Sequence, residues 1–312
     1  MLSVLEGLLI FVAVSESILG VLGDGFIGLA YFIECVKNKK FSTISFILMG
    51  LATSRIFLIG LITTDGFVKI FSPEMYSSGY LIDCITYSWV ILNPASVFFA
   101  TSLSIFYFLK IANFSHHIFL WLRSDVKRVL LLLMGYLLIS WLVTFPLTMK
   151  IISDSRAKNR SVVFSVEVHK GEFFRNQILL NLGTLTIFIL CLITCILLFI
   201  SLRRHNQRML LNATGFRDPS TEAHIKAMKV LISFIILFIL YFIGITIEIS
   251  CTTMSESKLL FIFGLTITAL YPWGHSFILI LGNNKLKQVF LRVQKQLKCW
   301  KKEKLLRTPW QA

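Results

Sequence analysis

The stretch GLATSRIFLIGL, residues 50–61, holds a single guanidinium, Arg55, inside an otherwise apolar run. The run extends to about residues 45–66, and some 20 residues of helix are enough to cross a hydrocarbon core ~30 Å thick. An arginine at the middle of a bilayer costs roughly 2.5–3.5 kcal/mol on insertion scales. A spanning helix therefore carries Arg55 only if the rest of the protein supplies it with a partner.

The remainder of the chain supports lipid as the main solvent. Of 312 residues, 56% are hydrophobic and 15% charged, where a soluble domain has about 45–50% and about 25%. Seven segments reach spanning length, near 7–33, 45–66, 83–109, 128–149, 178–202, 230–250 and 259–282, with a tail over 283–312. No low-complexity tract or large polar block divides them, so residues 1–312 read as one domain. The first span lacks a basic leader and carries Glu6 and Glu16, which predicts a retained helix and not a cleaved signal.

Charge placement gives the orientation. Of the 31 lysines and arginines, 22 fall in the loops after spans one, three and five and in the tail, and eight in the alternate loops. The positive-inside rule puts the tail in the cytoplasm and the N-terminus outside. Asn159-Arg160-Ser161 then lies in an outer loop, open to glycosylation, while Asn113-Phe114-Ser115 and Asn212-Ala213-Thr214 lie inside. The net charge of +15 becomes an excess on the cytoplasmic face, suited to anionic lipid and acidic protein surfaces; nucleic acid is not indicated.

The six cysteines form no C-x-x-C pair and none has a histidine at zinc-ligand spacing, so neither a metal site nor a disulfide framework is expected. No H-E-x-x-H, G-x-S-x-G or carboxylate pair at catalytic spacing occurs, which argues against an enzyme and calls for no cofactor. Transporters commonly show internal repeats, and seven spans without self-similarity do not fit that plan. A seven-helix receptor remains.

Several strings carry a specific resemblance. Leu51-Ala52-Thr53-Ser54-Arg55, Leu103-Ser104-Ile105-Phe106-Tyr107-Phe108-Leu109-Lys110-Ile111-Ala112, Ser201-Leu202 with His205, the loop Thr214–His224, and His275-Ser276-Phe277-Ile278-Leu279-Ile280-Leu281-Gly282-Asn283 follow one another from the second span to the tail. Together they resemble the type 2 (bitter) taste receptors. The resemblance implies an all-α membrane protein, a seven-transmembrane-helix G-protein-coupled receptor bundle at the plasma membrane, in taste receptor cells. It implies small, often alkaloid-like bitter agonists and a heterotrimeric G protein of the gustducin type as partners.

The ligand pocket implied by the family opens outward among helices three, five, six and seven. Trp89 and Asn93 are four residues apart and share a helix face, pairing an indole with a carboxamide that can donate and accept. Trp89 also reads as an interfacial anchor, and Asn93 as an interhelical hydrogen bond. Ser88, Gln177 and Tyr241 join them by family analogy alone. Glu248 either attracts cationic ligands or is solvated. Pro94, directly after Asn93, removes one backbone donor and predicts a kink.

On the inner side, Lys110, Arg123, Arg204, His205, His224 and Lys226 are candidates for a G-protein face, or are ordinary positive-inside residues. Leu286, Val289, Phe290, Val293 and Leu297 recur at helical spacing among basic residues, predicting a short amphipathic helix after span seven. Arg55 finds a candidate partner in Asp24, where relatives carry Asn, as a buried and bidentate ion pair. With His275 and Ser276, the two form the expected interhelical switch core.

Overall fold

The computed structural model describes residues 3–72, 75, 80–111, 121–122, 124–160, 181, 184–201, 203–204, 207, 219–253 and 257–307. Among the described residues, helix is the only regular secondary structure. Seven helices are long and apolar enough to cross a membrane: α1 (Val4–Asn38), α2 (Thr43–Phe71), α3 (Tyr80–Ile111), α4 (Val126–Arg160), α5 (Thr184–Ser201), α6 (Pro219–Thr253) and α7 (Lys258–Gly282). An eighth, α8 (Asn284–Arg307), follows α7 after one residue.

The helix ends are written in the sequence. Ser3 caps α1 in a reciprocal box, accepting from the Glu6 amide at 3.2 Å while its own amide donates to Glu6 Oε2 at 2.7 Å. The Ser42 and Ser257 side chains cap α2 and α7 by accepting from the Ser45 and Leu260 amides. Lys39 ends α1 in the left-handed region, at φ 48°. Most of the helices exceed the expected spans because backbone bonds continue past the apolar window. At ~1.5 Å per residue, the 35 residues of α1 outreach a ~30 Å hydrocarbon core.

The packing order is α1 against α2, α2 against α3, α3 against α4, α6 against α7, and α7 back against α1, with α2 also touching α7. Phe188 of α5 lies 4.6 Å from Phe238 of α6, ring to ring, and Tyr136 of α4 hydrogen-bonds Thr186 of α5. These contacts close the ring. Burial follows the membrane pattern and inverts that of a soluble protein. Leu131, Leu132, Leu138, Ile139, Leu142 and Val143 of α4 are exposed, whereas Asp24, Arg55, Asn93, Ser96, Thr101, Ser102 and Ser276 are fully buried. In lipid, polar groups gain only by facing one another.

Among the described glycines, the tightest approach to another helix's backbone joins α6 to α7 at Gly244. A methyl group there would sit 2.7 Å from the Thr268 amide nitrogen and 2.9 Å from the Gly264 carbonyl oxygen. Both are backbone atoms, so the helices themselves must separate. Overpacking of this kind costs roughly 1–3 kcal/mol. Gly244→Ala is expected to lower the melting temperature of the purified protein by several degrees; an unchanged melt would refute the close contact.

The helix expected after span seven is present, at 24 residues. Its apolar face meets the bundle first: Leu286 is buried, and Phe290 packs edge-on against Phe26 of α1 with centroids 5.6 Å apart. Lys285 pairs with Glu34, and the Asn283 side chain donates to the Tyr31 hydroxyl at 3.0 Å. Val293, further along, is exposed. The Leu297 side chain lies outside the described ones.

Candidate functional site

Two buried polar groupings occupy the bundle interior. The first joins α3 to α6. Asn93 is 1% exposed, and its Oδ1 accepts from the Tyr241 hydroxyl at 2.8 Å. Its Nδ2 lies 3.5 Å from Asn181 Oδ1. Asn93 thus makes the interhelical bond that the second reading of its sequence position required, while its amide group faces the α5 side of the bundle. Trp89 and Ser88, on the same helix, are half-buried, with Trp89 packed against the core. Gln177 lies outside the described residues. The helix runs through Pro94 without interruption.

An aromatic wall backs this grouping. Phe238 and Tyr241 stack at 6.2 Å, and Phe188 lies 4.5 Å from Phe242. Tyr271 of α7 sits 5.1 Å from Tyr241 and 5.0 Å from Phe238. The wall is mostly π faces, and its directional groups are the Asn93 amide and the hydroxyls of Tyr241 and Tyr271. Glu248, farther along α6, accepts from the Thr268 hydroxyl at 2.5 Å and is half-buried.

The second grouping joins α1, α2 and α7 around Arg55, which is 0% exposed. Arg55 Nη2 donates to the Tyr271 hydroxyl at 2.6 Å, and its Cζ lies 4.6 Å from that ring's centroid. Ser276 Oγ lies 2.5 Å from Asp24 Oδ1 and 2.8 Å from the Pro272 carbonyl oxygen. His275 is buried, stacked on Tyr271 at 6.0 Å and tilted against Phe234 at 4.7 Å.

This corrects the expected bidentate pair. Asp24 and Arg55 are drawn to the same core but form no direct ion pair; those formed among the described residues are Lys69–Asp65, Arg128–Asp125 and Lys285–Glu34. The reason lies on α7, which offers a hydroxyl to each charge, Ser276 to the carboxylate and Tyr271 to the guanidinium. Asp24 Oδ2, Arg55 Nε and Nη1, and His275 Nδ1 keep no hydrogen-bond partner among the described residues. Asp24 and Arg55 are therefore linked through α7, by Ser276 and Tyr271, and not to each other. Tyr271 was missed in the sequence. Its signal was a phenol four residues before His275, one helical turn away.

At the α8 end, Lys110 and Arg204 are exposed, with the Lys110 ammonium 5.8 Å from the Phe106 ring centroid. Arg123 and His205 lie outside the described residues. His224 and Lys226 fall on α6 and Asn159 on the last turn of α4, with their side chains outside the described ones. The described residues hold no group of three or more metal-ligating side chains.

Comparison with known proteins bears on this arrangement. The family profile described as taste receptor protein (TAS2R) matches residues 1–298. Taste receptor type 2 member 10 of Papio hamadryas is 64% identical over 307 residues, covering 98% of this chain and 99% of the relative. The Homo sapiens member 10 has the same identity and coverage. Taste receptor type 2 member 104 of Mus musculus is 51% identical over 299 residues, 96% of this chain and 99% of its own length. A match across nearly the whole chain, with seven apolar helices and polar residues turned inward, leaves one assignment: the chain belongs to the type 2 (bitter) taste receptor family.

Proposed function

We propose that this multi-pass membrane receptor binds small bitter compounds in a pocket that opens at the end of the bundle opposite α8. The pocket lies among α3, α5, α6 and α7, and agonist binding there activates a gustducin-type G protein at the α8 end. The reading rests on one observation above all: a buried asparagine, Asn93, set in an aromatic wall and bonded to Tyr241. An amine or hydroxyl on an otherwise apolar compound exchanges with the Tyr241 hydroxyl at the Asn93 carbonyl, while its rings lie against Trp89 and Tyr241. Ser88 and Gln177 complete the pocket by family analogy. Binding shifts the receptor population only insofar as the compound prefers the active arrangement.

In this reading the N-terminus is extracellular, and the tail and the rim formed by Lys110, Arg123, Arg204, His205, His224 and Lys226 are cytoplasmic. The rim faces the acidic surface of the G protein. Asn159 is the glycosylated sequon. The receptor resides in the plasma membrane of taste receptor cells.

The deciding experiment is expression in a heterologous cell with a coupled G protein and a calcium readout, against a panel of bitter compounds. A saturable response from at least one compound is expected. Silence across the panel from receptor shown to be at the surface would overturn the reading, and saturable solute flux in the same cells would favour transport.

A further inference from the structure

We infer that Tyr271 is a positioning residue that couples the ligand pocket to the Arg55 core, through one buried thread running Asn93–Tyr241–Tyr271–Arg55. The inference deepens the proposed pocket and rests on the receptor reading. Each link is a contact in the fold. The Tyr241 hydroxyl donates to Asn93 at 2.8 Å; the Tyr241 and Tyr271 rings lie 5.1 Å apart; Arg55 donates to the Tyr271 hydroxyl at 2.6 Å. The four residues come from α3, α6, α7 and α2, and each is between 0% and 1% exposed. None of the four is open to bulk solvent.

The thread has two chemically distinct ends. At Asn93, the Tyr241 hydroxyl occupies the carbonyl that an agonist would claim. At Arg55, the Tyr271 hydroxyl is the one acceptor bonded to a guanidinium whose Nε and Nη1 have no partner among the described residues. Moving Tyr271 therefore leaves a buried charge without its hydrogen bond, an outcome the core resists. The ring cannot shift alone: it is hemmed by Phe234, Phe238, Tyr241 and His275. Close-packed interiors of this kind switch between discrete arrangements and do not deform gradually.

With the thread intact and no agonist present, the arrangement is the resting one. Breaking a link favours the active state. The loss of the neutral Tyr241–Asn93 bond corresponds to a roughly three- to tenfold change in a two-state ratio, and the loss of the Tyr271 bond to the charged guanidinium to roughly ten- to a hundredfold. The test needs no agonist. Basal nucleotide exchange on a heterotrimeric G protein is measured for receptor in membranes, normalised to surface receptor, for wild type, Asn93→Ala, Tyr271→Phe and the double variant. Tyr271→Phe keeps the ring and removes only the hydroxyl. Asn93→Ala is expected to raise basal exchange about three- to tenfold and Tyr271→Phe about tenfold or more, and the double variant to go no higher than the larger single effect, because one thread can be cut only once.

Unchanged exchange in either single variant, a fall below wild type, or multiplying effects in the double variant would overturn the inference. If Tyr271→Phe fails to reach the surface, Tyr241→Leu paired with Asn93→Ala gives the same decision. It removes the ring linking Tyr271 to Asn93 and leaves the Arg55 bond in place. A receptor silent to every bitter compound but non-additive in basal exchange would lose the pocket and keep the thread. The reverse result would keep the pocket and lose the thread.

Discussion

Arg55→Ala is expected to remove most of the receptor from the cell surface and, with it, the agonist response. The substitution deletes the partner of the Tyr271 hydroxyl and the cation resting on that ring. It also strips the buried Asp24 carboxylate of the positive charge in its core. Removing one member of a buried charged set costs roughly 3–5 kcal/mol on soluble-protein precedent, a large share of a folded state worth about 5–15 kcal/mol. The cavity left by a fully buried side chain adds to the loss. Surface labelling and the calcium response read the two effects separately, and a fully active Arg55→Ala receptor would refute the structural role.

Asp24→Asn is expected to behave in the opposite way. Had the two residues formed a direct bidentate pair, neutralising Asp24 would orphan the guanidinium. Because Arg55 instead donates to Tyr271, that bond survives the change. An asparagine carbonyl still accepts from Ser276, where Asp24 now does so at 2.5 Å. Surface abundance and agonist response within about twofold of wild type are expected. A loss as severe as that of Arg55→Ala would mean the carboxylate charge itself holds the core.

Arg55 shows what the sequence could and could not reveal. Its position in an apolar run required an internal partner, and Asp24 was the visible ion of opposite sign on an adjacent span. Spacing identified the helices, because seven long apolar runs allow little else in lipid. The helix starts themselves were not read: the fold places serine caps at Ser3, Ser42 and Ser257, before Val4, Thr43 and Lys258. What sequence could not rank was competition among acceptors. A phenol and an alcohol on α7, residues 271 and 276, lie more than 200 positions from the charges they satisfy. Neutral hydroxyls inside an apolar run carry no charge signal to betray such a role. The same blindness hid the Tyr271 ring between two polar groupings that motif reading had kept apart. The pairing of Asn93 with Tyr241 was legible as two separate candidates, and only the fold joins them.

Asn93→Ala is expected to weaken agonist potency by about tenfold at unchanged surface abundance, and two opposing effects set that figure. A hydrogen bond from a cationic or strongly polar agonist to the Asn93 carbonyl is worth about 1.5–3 kcal/mol when one partner is charged, or roughly ten- to a hundredfold in affinity at 1.4 kcal/mol per decade. Releasing Tyr241 works the other way. The lost neutral bond favours the active state by a fewfold and so raises apparent affinity through the population that binds best. The ligand contact is the larger contribution, so potency falls. Tyr241→Phe separates the two: it frees the Asn93 carbonyl for the agonist and cuts the same interhelical bond. A compound that recognises Asn93 should therefore lose potency in Asn93→Ala and gain or hold it in Tyr241→Phe. Equal losses in both variants would mean the pair holds α3 against α6 without touching the agonist, and Asn93 would leave the pocket.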